Sequence, residues 1–178
     1  HDGRIEVDPA RESGLRTPLE DEMVGGFASL LSAQTMFPVL SADEMAGHYQ
    51  ENDVSKAVRQ GRITGPGGAW SIIAKRVDAL PEYRQRFEAF DDDIAAGEEI
   101  SFTDISDAIA AFIATEWKAY DTPFDIALKG GAPLPLPAER GQTLFFGDLG
   151  CAACHSGPLL SDQSFHAMAT PQLGPGKS

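Results

Sequence analysis

The stretch Cys151-Ala152-Ala153-Cys154-His155 concentrates the reactive chemistry of this chain. Two thiols three positions apart, followed at once by an imidazole, form the attachment pattern of a c-type haem. Each thiol can add across one vinyl group of the macrocycle, and a turn of helix between them holds His155 beneath the iron as proximal ligand. Both cysteines of the 178 residues lie in this pattern, and a shuffled chain of the same composition would contain it on the order of once in two thousand trials. Three other uses compete. A thioredoxin-like pair would follow a strand in an alternating β/α pattern, whereas the periodicity here is helical. A zinc site would need a fourth ligand, with His166 as the nearest spare donor. A disulfide is sterically allowed but leaves His155 without a task.

Other chemistry-bearing residues have quieter readings. In Ser41-Ala42-Asp43-Glu44, Ser41 can cap a short helix and Glu44, three residues on, can close a capping box. The run Asp91-Asp92-Asp93 lacks the alternating spacing of an EF-hand and reads as an exposed turn after a helix rather than a calcium loop.

Composition bounds the partners. Fourteen Lys+Arg against 27 Asp+Glu leave a formal charge of −13, which argues against nucleic acid and against anionic membranes. Such a surface suits a basic protein partner, or serves solubility alone. No apolar run approaches the roughly 18 residues that span a bilayer, and no stretch of these residues reads as a signal peptide. The first residue is His1, the mark of a processed or trimmed piece. Covalent haem attachment belongs outside the bacterial cytoplasm, so the haem pattern sets the expected compartment as periplasmic.

The elements that must position these residues are helical. His1 to Thr17 is polar, with Gly3, Pro9 and Gly14, and reads as an extended or looped lead-in. Met23, Phe27, Leu30, Leu31 and Gln34 fall at helical spacing, with Gly25-Gly26 weakening the start and Pro38 as the stop. A short helix capped by Ser41 ends at Gly47. Asn52 or Asp53 caps another running to Gly61, and Gly65-Pro66-Gly67-Gly68 is a turn. Trp70, Ile73, Ala74 and Val77 mark a helix face; Pro81 opens the next helix, where Tyr83, Phe87 and Phe90 share a face. The longest helix runs from about Thr103 to Tyr120, with Ile105, Ile109, Phe112, Ile113 and Trp117 at core spacing. Gly130 to Pro137 reads as a linker. A last helix from Pro137 or Ala138 to Phe146 leads into the haem pattern, and a loop follows. The expected class is mostly α.

The order of these segments resembles the bacterial di-haem cytochrome c peroxidases and their MauG-like relatives. The resemblance rests on Asp2-Gly3-Arg4, on Gln34-Thr35-Met36-Phe37-Pro38 followed by Glu44-Met45, and on Leu80-Pro81 with Tyr83, Phe87 and Phe90. It continues through Ala108 to Phe112 and Thr122-Pro123-Phe124-Asp125. It closes with Gly141, Leu144-Phe145, the haem pattern, Gly157, Asp162, Phe165-His166 and Leu173 to Lys177.

The resemblance implies two cytochrome c-like haem domains, each incomplete here. Residues 1–132 would be most of the peroxidatic domain without its own haem motif. Residues 133–178 would open the electron-transfer domain, with haem c on Cys151, Cys154 and His155. It further implies that Glu44 is the distal acid/base beside a second haem of the full-length protein and that Gln34 is its neighbouring amide. The reaction implied is reduction of hydrogen peroxide to water with electrons from a small cytochrome or cupredoxin. A MauG-like oxidation of a partner protein's side chain is the alternative, favoured if the distal ligand of the haem on His155 is tyrosine. No calcium ligand is assignable in this stretch, and a homodimer is compatible with the family. His1 stands where the family commonly has tryptophan, and about twenty residues are inserted between Arg4 and Gln34. A rival of another class is a one-haem electron carrier with Met168 or His166 as sixth ligand, which leaves some 130 residues before the haem pattern unexplained.

Overall fold

The computed structural model describes residues 4–169 and 171 of the chain, which falls into two units, His1–Lys118 and Ala119–Ser178. Both are helical, so the expected class holds. The resemblance segments Asp2-Gly3 and Leu173 to Lys177 lie outside the described residues.

The first unit opens on a hairpin rather than a plain loop. Strands β1 (Glu6–Val7) and β2 (Leu15–Arg16) pair antiparallel, with Glu6 opposite Arg16 and Val7 opposite Leu15. The Asp8 N–H bonds the Gly14 carbonyl at 2.9 Å, and Gly14 turns there at φ +71°, where a Cβ would be strained. An Arg16–Glu6 ion pair crosses the ladder.

Helix α1 (Leu30–Gln34) begins later than the spacing of Met23 and Phe27 suggests. Gly25-Gly26 keeps the earlier stretch out of the helix, and Ser29 caps it reciprocally with Ser32. Pro38 does not end the segment. It sits third in α2 (Met36–Leu40), where the missing N–H has no helical partner to lose. What proline removes is the donor for the Gln34 carbonyl, and the chain breaks at Thr35 instead.

The capped helix expected from Ser41 does not form. The N–H groups of Glu44, Met45 and Ala46 converge on the single Ser41 carbonyl at 3.3, 3.2 and 2.9 Å. That closes a tight turn, and Gly47 leaves it at φ +77°.

Helix α3 (Asp53–Arg59) is capped by Asn52. Next come α4 (Ala69–Asp78), α5 (Pro81–Glu88), α6 (Asp92–Ala95) and α7 (Phe102–Glu116). The triple aspartate is a helix start rather than a turn. Asp91 accepts the N–H groups of Asp93 and Ile94, so Asp92 and Asp93 meet the positive pole of α6, where carboxylates are favourable.

The core gathers Met36, Val39, Val54, Trp70, Ala74 and Phe102, with a smaller cluster of Phe87, Ile94 and Ile100. Trp70 is 1% exposed and its Nε1–H donates to the Met36 carbonyl at 3.1 Å. Trp70→Ala is therefore expected to cost about 3–5 kcal/mol in urea unfolding. Trp70→Phe keeps most of the apolar area but loses the bond to the Met36 carbonyl, for a loss of about 0.5–1.5 kcal/mol.

Arg84 ties the second cluster together. It donates to Asp78, Glu88 and the carbonyls of Ile94 and Glu98 at 2.6–2.8 Å. That bond from Arg84, together with the Ile100 N–H, holds the Asp78 carboxyl below its usual range. A carboxyl lowered on folding stabilises above its unfolded pKa, near ~3.9, and loses that contribution as pH falls through the folded value. Asp78→Asn is thus expected to lower Tm at pH 7, and the gap from wild type should close in thermal scans as the pH is taken below ~4.

Helix α7 packs Ile105 against both core clusters as its spacing suggests, but its other large residues do not follow. Phe102, Ser106 and Ala110 are buried, while Ile109, Phe112 and Trp117 are 42%, 59% and 76% exposed. Small side chains allow close approach to α1, where Thr35 Oγ1 donates to Ser106 Oγ at 2.6 Å.

The second unit holds α8 (Pro123–Leu128), α9 (Leu136–Phe146) and a 3-10 turn, Cys151–Ala153. Among its described residues no side chain is buried. No helix of the described residues is long and apolar enough to cross a membrane.

Candidate functional site

Gly150, in the left-handed region at φ +68°, swings the chain out of α9's last turn and starts the Cys151–Ala153 turn. The N–H groups of Cys154 and His155 both return to the Cys151 carbonyl, at 3.3 and 3.0 Å. One closed turn therefore sets Cys151 and His155 above one another, with Cys154 beside them. Both cysteines are unpaired and half-buried, and His155 is exposed.

The following loop folds back on this turn. Asp162 N–H bonds the Cys154 carbonyl at 2.8 Å, and Ser161 N–H the Ser156 carbonyl at 2.9 Å. The loop delivers the Leu160 carbonyl to His155 Nδ1 at 3.0 Å. A carbonyl can only accept, so Nδ1 carries the proton and the Nε2 lone pair is left for a metal. The Phe145 ring lies 6.0 Å from the imidazole, centroid to centroid.

Beside this turn, linked to it by the contacts of His155 with Phe145 and Leu160 but lined by neither cysteine nor His155 itself, the unit presents an apolar trough of about 310 Å³ that also takes in Phe124, Leu134, Ala138 and Phe146. Phe124 and Phe146 stack at 6.0 Å, 3° from parallel. A flat macrocycle with apolar faces matches such walls, and two thiols with a free imidazole nitrogen match its vinyl groups and its iron. The residues present fit haem c. A cavity of about 370 Å³ in the first unit, against Trp70 and Phe102, includes neither Gln34 nor Glu44.

Gln34 and Glu44 flank α2, the first ending α1 and the second in the turn after α2. Glu44 is exposed and Gln34 half-buried. Neither side chain makes a hydrogen bond among the described residues, and none joins the two. The capping role open to Glu44 in the sequence is not taken up.

Asp162 and His166, the latter read from the sequence as a spare donor, meet in the loop after the haem pattern. Asp162 Oδ2 and His166 Nε2 are 2.8 Å apart, and the Asp162 carboxyl is held below its usual range by the Ser164 N–H and then by His166. Met168 lies in the loop, 73% exposed.

Comparison with known proteins bears on both regions. A family model described as di-haem cytochrome c peroxidase matches residues 11–132. The chain is 35% identical over 115 residues to cytochrome-c peroxidase IdrP1 of Denitromonas iodatirespirans, covering 64% of this chain and 29% of that protein. It is 31% identical over 157 residues to methylamine utilization protein MauG of Methylorubrum extorquens, covering 85% and 37%. Cytochrome c551 peroxidase of Pseudomonas aeruginosa is 35% identical over 96 residues, covering 53% and 26%. The chain thus spans between 26% and 37% of the length of these relatives. No solved structure matches it.

Proposed function

Since this chain belongs to the di-haem cytochrome c peroxidase family, we propose that it forms part of an exported, periplasmic enzyme that reduces hydrogen peroxide to water. The observation that carries the reading is the Cys151–His155 turn, with Nδ1 of His155 engaged by Leu160 and Nε2 left for iron. Residues 1–132 belong to the peroxidatic domain and residues 133–178 to the electron-transfer domain.

Cys151 and Cys154 would hold haem c by thioether bonds and His155 would ligate its iron. The group would supply one-electron transfer, with electrons from a small redox protein such as a cytochrome or cupredoxin. Glu44 does the proton work beside a second haem of the full-length protein. Its carboxylate takes the proton from one peroxide oxygen and returns it to the other as water leaves, a step worth typically ~10²–10⁴-fold. Gln34 offers an amide that orients the peroxide. The exposure of Glu44 in its turn, with Gln34 at the other end of the short α2, supports these roles.

A second reading has its own support: the MauG match covers 85% of the chain, against 64% and 53% for the two peroxidases named above. Under it the same residues would serve oxidation of a side chain on a partner protein. Stopped-flow turnover of hydrogen peroxide by the full-length protein, with a reduced cytochrome as donor, tests the choice. Donor oxidation at two electrons per peroxide is expected. Peroxide consumption without donor oxidation, together with a mass change in a co-purified protein, would favour the second reading.

A further inference from the structure

We propose that Thr35 is a positioning residue that fixes Gln34 through a hydroxyl bond to the buried Ser106; the inference rests on the role given to Gln34 above. Thr35 closes α1 and opens α2, at φ −66° and ψ −12°. Each of these helices has five residues, too few to be held in place by their own hydrogen bonds. Pro38 also leaves the Gln34 carbonyl without its helical donor. Where the break lies, and with it Gln34, therefore depends on what the break is tied to.

Two ties come from the core. Thr35 Oγ1 donates to Ser106 Oγ at 2.6 Å, and Ser106 Oγ donates onward to the Phe102 carbonyl at 2.8 Å. Ser106 is 0% exposed and sits in α7, which is fifteen residues long and joined to the core through Phe102. One residue on from Thr35, the Met36 carbonyl accepts the Nε1–H of Trp70 in α4. Thr35 Oγ1 is also 2.8 Å from the Ser32 carbonyl, a contact inside α1 that places nothing relative to the core. The Ser106 bond is thus the tie nearest Gln34, one peptide unit away.

Glu44 has a tie of its own. In the turn after α2, the Met45 N–H bonds the Pro38 carbonyl at 3.1 Å. Loss of the Thr35 hydroxyl should therefore displace Gln34 and spare Glu44. A shift of an ångström at a reacting centre can cost on the order of 10²-fold in rate. With Met36 still anchored the shift is smaller, and a loss of about tenfold is expected.

The test compares peroxide turnover by the full-length protein and its variants, with a reduced cytochrome as donor. Thr35→Val keeps the shape of the side chain and removes the hydroxyl; it is expected to lower kcat about tenfold, and Thr35→Ser to stay within about threefold of wild type. Gln34→Ala should lose at least as much as Thr35→Val. Placed on Gln34→Ala, Thr35→Val should change the rate by less than about twofold, because the group it positions is already gone. An equal loss in both backgrounds would make the hydroxyl a general stabiliser and overturn the proposal. So would wild-type turnover by Thr35→Val beside an impaired Gln34→Ala. Wild-type turnover by Gln34→Ala would remove the role of Gln34 itself, and the proposal with it. Should Thr35→Val fail to fold, Ser106→Ala removes the same bond from α7 and is read by the same comparison.

Discussion

Full-length protein carrying His155→Gly is expected to keep a haem bound through Cys151 and Cys154 but to lose its normal axial ligation, and with it nearly all electron delivery. The thioether bonds need only the two thiols, whereas the iron needs Nε2 of His155, which the Nδ1–Leu160 bond holds in the right tautomer. Axial ligands move haem potentials over roughly 0.8 V, so the effect on reduction should exceed that of any surface change. The check is the visible spectrum and redox titration before and after adding free imidazole, which can occupy the space vacated by the side chain. Recovery of the wild-type spectrum with imidazole is the expected result. An unaltered spectrum without it would remove His155 from the iron.

Glu44→Gln is the second large effect. The substitution keeps size and hydrogen-bonding capacity but cannot accept and return a proton, so peroxide turnover should fall ~10²–10⁴-fold. The haem spectrum should hardly move, because Glu44 is exposed in a turn and makes no side-chain bond that the fold depends on. For the same reason Tm should stay within about a degree. Unchanged turnover would return Glu44 to an ordinary surface role. Gln34→Ala should have the smaller effect, since orienting the peroxide is less demanding than moving its proton.

How much of this was legible follows from what each residue needed. The Cys151–His155 pattern was, because covalent attachment fixes residue type and spacing regardless of fold. Caps were legible where polar side chains met a real helix start, as at Asn52. They misled at Ser41, where the same pattern of Ser and Glu three apart served a turn whose three N–H groups share one carbonyl. The cap at Thr122, bonded reciprocally with Asp125, opens α8, whose six residues are too few to show a helical period.

On α7 the period of 3.6 was right and the face was right at Ile105, which packs against both core clusters, but not further along. Ile109, Phe112 and Trp117 promised burial by size, but Ser106 and Ala110 face inward because small residues let two helices approach. Hydrophobic spacing gives a period, not a phase, when both faces carry apolar residues. The contacts around the haem pattern were invisible for another reason. Leu160 acts through its carbonyl, which every residue has, and Asp162 and His166 come together through a loop without periodicity. The hairpin before α1 left no signal, since two residues per strand are too few to alternate.

Covalent haem on Cys151 and Cys154 is the claim from which the rest descends. Intact mass of the full-length protein matured in a bacterial periplasm, read with the pyridine haemochrome spectrum and a tryptic map, tests it most directly. The account predicts two haems per chain, both with saturated vinyl groups, and one of them on the peptide containing Cys151 to His155. An unmodified mass for that peptide, with both thiols free to alkylate, would contradict it.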